Sequence, residues 1–294
     1  MIKYLLFLVL VLLSLTSVKS LEKDCPLNFF IIISENQDLG QVIANRIFND
    51  LAHLGTFFPG YEDITHPSYP NYIALTAGTT FGITNDTQVN ISATNLFTLL
   101  EAKNISWKIY AEGYPGGCFL ASQLNNSCNP DLGANFSCLP YYYRKHVPAL
   151  SFTDVQQNST VCDKVVNAIE LYSDVLLDQV PQFALYIPNI NNDGHNQNIN
   201  YTAEAFIYNF LLLLNDKRFT HNRVLVYTFD ESYLDLNVTQ PIYTVFWGPE
   251  VQKGGIVTTT YNHYNLLRTI EDNFNLGTLG RNDSISDPMV GWRK

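Results

Sequence analysis

The sequence predicts an α/β fold, a mostly parallel central sheet with helices on both faces. Short apolar, β-rich runs alternate with segments of helical periodicity along nearly the whole chain. No internal repeat and no linker rich in Pro, Gly or Ser interrupts that rhythm. With 46% apolar and 13% aromatic residues over 294 positions, there is enough material for one large core.

Asn28 to Ser34 (NFFIIIS) is long and apolar enough for a buried strand. Gln41 to Leu54 follows as a helix, with Val42, Ile43, Ile47, Leu51 and Leu54 on one face. Ser68 heads a small apolar helix and reads as its N-cap, with Pro70 in the first turn. Ala93 to Ala102 is a helix and Ser106 to Ala111 (SWKIYA) a strand. Cys118 to His146 breaks the rhythm. It is loop-rich, carries three cysteines, ends in the cluster Tyr141 to His146, and reads as a lid or wall over one edge of the sheet. The Lys145-His146 pair within it reads as surface structure. Val161 to Leu171 and Ala203 to Asn215 have helical spacing, as does Tyr264 to Phe274. Phe183 to Pro188, Val224 to Phe229 and Tyr243 to Trp247 complete the strands.

The first twenty residues have the form of a secretory signal: Lys3, an apolar run from Leu5 to Leu15, and Val18 and Ser20 flanking Lys19 at the cut. That leaves 21–294 as a single domain and points to secretion or the endolysosomal lumen. Nine Asn-x-Ser/Thr sequons, at Asn85, Asn90, Asn104, Asn125, Asn135, Asn158, Asn200, Asn237 and Asn282, fit a glycoprotein. Disulfides are permitted there, but five cysteines (Cys25, Cys118, Cys128, Cys138, Cys162) leave one over and their pairing open. Cys118, Cys128 and Cys138 lack CxxC spacing, so a stapled loop is the expectation rather than a zinc knuckle. A formal charge of −10 argues against a nucleic-acid partner. No Lys/Arg cluster, later apolar span, GPI tail or KDEL-type signal indicates a stable membrane anchor. Oligomeric state is not legible.

Open α/β sheets bind ligands beyond the carboxyl ends of their strands, and the unusual polar residues fall there. Glu35-Asn36 follows the first strand, Asn192-Asp193-Gly194-His195 the Phe183 strand, and Asp230-Glu231 the Val224 strand. Asn262-His263 opens the last helix. Alone, each has an ordinary explanation, such as a solvated turn or a cap. Together they bring four carboxylates to one edge, where unit charges ~4 Å apart repel by roughly 4 kcal/mol at an effective dielectric of 20. Basic residues are sparse near them, so divalent metal ions are the expected counter-charge.

The motifs THPSYPNYIALTAG (65–78), ENQ (35–37), PNINNDGH (188–195), TFDE (228–231) and NHYNLLRTIEDNF (262–274) resemble, in order, those of the phosphoesterase family. That family holds acid phosphatases and phosphatidylcholine-type phospholipases C, within the alkaline-phosphatase-like superfamily. The resemblance spans about residues 28 to 276. It implies Ser68 as nucleophile and Glu35, Asp230 and Glu231 as metal ligands. Asp193, His195 and His263 would hold a second metal or bond the phosphoryl oxygens. His195 or His263, if free of metal, would protonate the leaving oxygen, and Asn36, Asn71 or Asn192 would donate to the phosphoryl group. His66 either points at the site or braces its turn. Where alkaline phosphatases carry Asp and Asp-His, this chain has Glu35 and Asp230-Glu231. Such an all-oxygen site favours Mg²⁺, Mn²⁺ or Ca²⁺ over Zn²⁺ and puts two-metal occupancy in question.

The implied activity is hydrolysis of a phosphate-ester substrate, most simply a phosphomonoester, since no extra lipid-binding domain is evident. The alternatives are a phospholipase C-like phosphodiesterase and a non-catalytic secreted glycoprotein. A Ser-His-Asp hydrolase built on Ser68 would lack the GxSxG elbow and leave Glu35, Asp230 and Glu231 without a role.

Overall fold

The computed structural model describes residues 26–124, 142–234 and 238–294. The signal-like segment, Cys25, Cys128, Cys138, Tyr141, the sequons Asn125, Asn135 and Asn237, and most of the 118–146 segment lie outside the described residues.

The strands are β1 (Asn28–Ser34), β2 (Thr56–Phe57), β3 (Tyr61–Glu62), β4 (Trp107–Ala111), β5 (Val165–Asn167), β6 (Phe183–Ile187), β7 (Arg223–Phe229), β8 (Val245–Trp247), β9 (Gly255–Ile256) and β10 (Tyr261–Asn262). Eight form one sheet in the order β5-β4-β6-β1-β7-β8-β2-β9, and β10 pairs with β3 separately. From β5 to β7 every pairing is parallel. β8 runs against both β7 and β2.

β1 lies in the middle, and five of its side chains, Phe29 to Ile33, are fully buried. A strand covered on both faces has no reason to alternate polar and apolar residues, which is why NFFIIIS reads as a continuous run. Phe29 meets Phe274 and Trp292 on one face, while Phe30 meets Phe210 and Phe219 on the other. Helices Ile199–Phe210 and His263–Asn273 therefore lie on opposite faces.

Several boundaries differ from the sequence reading. The helix expected over 41–54 is two, Leu39–Ala44 and Arg46–Leu54, because the Asn45 side chain accepts from the Ile47 and Phe48 amides and starts the second. The helix expected over 161–171 is a single turn (Ser159–Cys162), then β5, then the helix Glu170–Leu176. The Val165-Val166 pair joins the sheet edge through β4.

The helix Ser68–Ala77 is buried at every position, as expected of a helix that is apolar all round. It ends at Gly78, whose φ of 68° is left-handed and whose missing side chain leaves room for the Asp283 carboxylate. At its start Pro67 is the N-cap residue and no side chain caps. Ser68 is thus the first helical residue rather than the cap, and its hydroxyl is free for other partners.

Among the described residues, Cys118 and Cys162 form a disulfide. It holds the 118–124 segment, which in turn fixes Arg144. That guanidinium donates to Leu120 O (2.7 Å), Leu150 O (2.6 Å) and Asn90 Oδ1 (3.0 Å). Lys145 and His146 follow in the same short 3₁₀ turn.

Candidate active site

Parallel pairing brings the carboxyl ends of the strands together. Ser34 is level with Phe229 across β1 and β7, so Glu35 and Asp230 leave the sheet side by side, with Asp230 N donating to Ser34 O (3.0 Å). The loop after β6 comes across from the other flank, and Glu35 N donates to Asp193 O (3.0 Å). Gly194, at a φ of 111°, lets that loop pass close to Glu35 O and the Gln37 side chain. Asn36 takes a φ of 37°, which asparagine tolerates better than most residues.

Ser68 is 2% exposed and stands at the centre of this convergence. Its Oγ lies 3.0 Å from Glu35 Oε2, 3.1 Å from Glu231 Oε1 and 3.3 Å from Asn36 Oδ1. One hydroxyl proton cannot serve three acceptors at once, so Ser68 is held with a choice of carboxylates for that proton. Asn36 Nδ2 donates to Glu231 Oε1 (2.9 Å). Asn71 braces the approach to the helix: its Oδ1 accepts from the Ile64 and Thr65 amides, and its Nδ2 donates to Thr65 O and, at 3.3 Å, to Glu231 Oε2.

His66 does both things that its position allowed. Its Nδ1 is 3.0 Å from Glu231 Oε2, and its Nε2 is 3.5 Å from Asp63 Oδ2. Asp63 and Glu231 push its pKa up to about 10, which favours the charged ring beside Glu231. Asp63 also accepts from the Ser232 and Gln240 amides, which holds the loop after Glu231.

On the other flank, Tyr72 OH donates to Glu35 Oε1. The His146 ring stacks on Tyr72 with centroids 5.3 Å apart. His146 Nε2 is 3.2 Å from Glu35 Oε1, yet it is buried and forms no hydrogen bond. Asp193 Oδ2, 4.0 Å from His146 Nδ1, and Asp230 Oδ2 are also buried without a partner. Glu35, His146 and Asp193 offer ligand atoms that all lie within 4.8 Å of one another. Burial dominates the electrostatics here. It lifts Glu35 to about 7, holds Asp193 and Asp230 well above the usual carboxylate range, and pushes His146 well below the usual imidazole range. Neighbouring carboxylates add to the upward shifts, and Lys145 counters that on Glu35.

Three expected site residues sit elsewhere. His263 is buried with both ring nitrogens engaged. Nε2 is 2.7 Å from Asp230 O and donates to it, which leaves Nδ1 to accept from Tyr61 OH at 3.0 Å. Burial lowers its pKa, so it is a neutral brace behind Asp230 and neither a ligand nor a proton donor here. Asn192 Nδ2 donates to Glu112 Oε2 (2.6 Å), part of a network with Asn189, Tyr186 and Asn209, and so turns away from Ser68. His195 is exposed, its amide held by Asp193 Oδ1 (2.8 Å) and its Nδ1 3.0 Å from Asn196 Oδ1. Of the Lys145-His146 pair, expected at the surface, His146 is instead buried at the site and Lys145 partly buried at its rim. Tyr72, Asp63 and His146 are site residues that the sequence motifs do not single out. A visible signal was a histidine behind three tyrosines and an arginine, a composition unusual for a solvated loop.

Comparison with known proteins agrees with this geometry. Residues 41–277 match the model of the Phosphoesterase family. The chain is 32% identical to a probable acid phosphatase of Kluyveromyces lactis over 89% of its own length and 61% of the relative's. It is also 32% identical to an acid phosphatase of Aspergillus fumigatus, over 87% of this chain and 56% of that protein. The same identity to a phosphatidylinositol-3-phosphatase of Mycobacterium tuberculosis covers 85% of this chain and 77% of that one. The chain thus spans about 60% of the length of the two fungal relatives. Among solved structures, a protein of the alkaline phosphatase superfamily from Vibrio parahaemolyticus superposes with a TM-score of 0.58 at 10% identity, over 90% of this chain and 71% of that one. The fold is that of the superfamily, and the chain belongs to the Phosphoesterase family.

Proposed function

We propose that the chain is a phosphoric ester hydrolase of acid-phosphatase type, acting on phosphomonoesters with Ser68 as nucleophile. The observation that carries the reading is the placement of the Ser68 hydroxyl. It is buried at the start of a ten-residue helix and within 3.3 Å of Glu35, Glu231 and Asn36. Four relatives at 30–32% identity that are named as acid phosphatases, one of them as probable and one as phosphate-repressible, point the same way.

The residues fit a divalent cation. Three buried polar atoms, on His146, Asp193 and Asp230, have no partner, and four buried carboxylates, Glu35, Asp193, Asp230 and Glu231, gather beside the partly buried His66 and the Lys145 ammonium at the rim. Glu35, His146 and Asp193, with Asp230 beside them, would hold the ion. When bound, it would neutralise the carboxylates and draw charge from the phosphoryl oxygens. His146 adds a nitrogen to the donor set, so the all-oxygen argument lapses and Zn²⁺ stands with Mg²⁺, Mn²⁺ and Ca²⁺ as candidates.

Ser68 Oγ forms its bond to phosphorus as its proton passes to Glu231 or Glu35. The bond from phosphorus to the alcohol oxygen breaks, and that oxygen takes a proton from solvent water. The Ser68 N–H, at the positive end of the helix dipole, stabilises the phosphoryl oxygens, since Pro70 in that turn has no N–H and the Tyr69 N–H is held by Asp86. Water then attacks phosphorus, the phosphoserine bond breaks, and Ser68 regains a proton. The Cys118–Cys162 disulfide supports a route through the secretory pathway, where such bonds persist. The test is Ser68→Ala on p-nitrophenyl phosphate, with acid-quench trapping of a phosphoryl-enzyme. The expected result is loss on the order of 10³-fold or more in kcat and no trapped phosphoserine. Activity within a few-fold of wild type would refute the assignment.

A further inference from the structure

We propose that Asp86, paired with Lys145 at the rim of the site, sets specificity by disfavouring phosphate esters whose leaving group carries a second negative charge close to the phosphorus. The inference rests on the reading of Ser68 as nucleophile and names the class of leaving group that such a site accepts.

Asp86 lies on the loop that crosses the start of the Ser68 helix. One of its oxygens accepts from the Tyr69 amide at 3.1 Å, directly after Ser68, and the other is 2.6 Å from Lys145 Nζ. Asp86 and Lys145 thus form a bridge between the nucleophile's helix and the turn that carries His146. The exposures of the pair differ. The Lys145 side chain is 12% exposed and that of Asp86 40%, so the carboxylate faces solvent where the ammonium does not. Lys145 also interacts electrostatically with Glu35 and Asp230.

Ser68 Oγ approaches from a floor of buried carboxylates, and in-line displacement sends the leaving group to the opposite, solvent side. Asp86, held by the amide directly after Ser68 and 40% exposed, is the carboxylate that this proposal sets in the path of such a leaving group. A neutral alcohol passes it without cost. A leaving group bearing a carboxylate or a further phosphate meets a like charge, and the cation that would have received it is already paired with Asp86. Removing the Asp86 charge would both end the repulsion and free Lys145 as a partner for that second anion.

The matched substrates are glycerol 2-phosphate and 2-phosphoglycerate, which differ by a carboxylate in place of a hydroxymethyl group. In the wild-type protein kcat/KM should favour glycerol 2-phosphate by tenfold or more, and equal values would overturn the proposal. Asp86→Asn should raise kcat/KM for 2-phosphoglycerate about tenfold while changing that for glycerol 2-phosphate less than about threefold. Asp86→Asn combined with Lys145→Met should lose the gain. If Asp86→Asn shifts both substrates equally, Asp86 is structural and the proposal fails. If Asp86→Asn does not fold, Asp86→Ser is assayed in the same way, and the wild-type ratio decides independently. If the wild-type protein hydrolyses neither substrate nor p-nitrophenyl phosphate, the Ser68 reading fails first, which distinguishes the two.

Discussion

The two flanks of the carboxylate cluster differ in what their atoms touch. On the Ser68 flank both oxygens of Glu231 are engaged, by Asn36, Ser68, His66 and Asn71. On the other flank His146 Nε2, Asp193 Oδ2 and Asp230 Oδ2 are equally buried and have no hydrogen-bond partner. Leaving a buried polar atom unpaired costs about 1–3 kcal/mol, and more when it is charged. A fold that engages both Glu231 oxygens, with His66 Nε2 the one atom of that flank left without a hydrogen bond, and leaves three atoms open on the other is built to hold a nucleophile still and to receive a cation. The paired flank is therefore expected to govern reaction rate, and the open flank cation binding.

The largest effect expected from breaking the paired flank short of Ser68 itself is that of Glu231→Gln. It removes an acceptor for the Ser68 proton and the anionic partner of His66. kcat should fall on the order of 10²-fold or more, measured with p-nitrophenyl phosphate at saturating divalent ion. A loss of less than threefold would mean that Glu231 only braces His66.

Next in size is cation stabilisation. For Glu35 the folded pKa of about 7 lies above the ordinary 4.5, so its contribution to stability is full below pH 4.5 and is lost as pH rises through 7. Asp193 and Asp230 shift in the same direction. The chelated protein should therefore lose stability over that window, and divalent ion should restore it. At pH 8, ion at about 100 times its Kd should stabilise by about 2.7 kcal/mol, against much less at pH 4.5, where protons compete. Thermal unfolding with and without the ion at both pH values measures this. An equal shift at both would place the ion elsewhere.

The smallest effect concerns His66. Its pKa is raised from 6.5 to about 10, so its contribution to stability is full below pH 6.5 and lost as pH rises through 10. His66→Gln should flatten the stability profile between those limits and leave the slope below pH 6.5 in place, as followed by urea unfolding across the range. An unchanged profile above pH 6.5 would mean that His66 is not charged in the fold.

How far the sequence showed all this depends on range. β1 was legible because a central strand buried on both faces leaves an unbroken five-residue apolar run, Phe29 to Ile33. β5 was not, because three residues on a sheet edge are paired only through β4, and Val165-Val166 fits helical spacing equally well. Glu35, Asp193, Asp230 and Glu231 were legible as residues that follow strands. The directions of Asn192 and His263 were not, since Glu112 in one case and Tyr61 with Asp230 O in the other draw the side chains away. His146 was missed for a similar reason. Its place depends on Arg144 reaching back to Leu120 and Asn90, and on a disulfide to Cys162, none of which leaves a local pattern.

The division of labour between the two flanks is tested most directly by calorimetric titration of chelated protein with Mn²⁺ and with Zn²⁺, comparing Asp193→Asn with Asn71→Ala. Asn71 belongs to the paired flank and Asp193 to the open one. Asp193→Asn should weaken cation binding at least about tenfold, while Asn71→Ala stays within about threefold of wild type. Equal losses in the two variants, or an Asp193→Asn protein that binds as wild type does, would contradict the account.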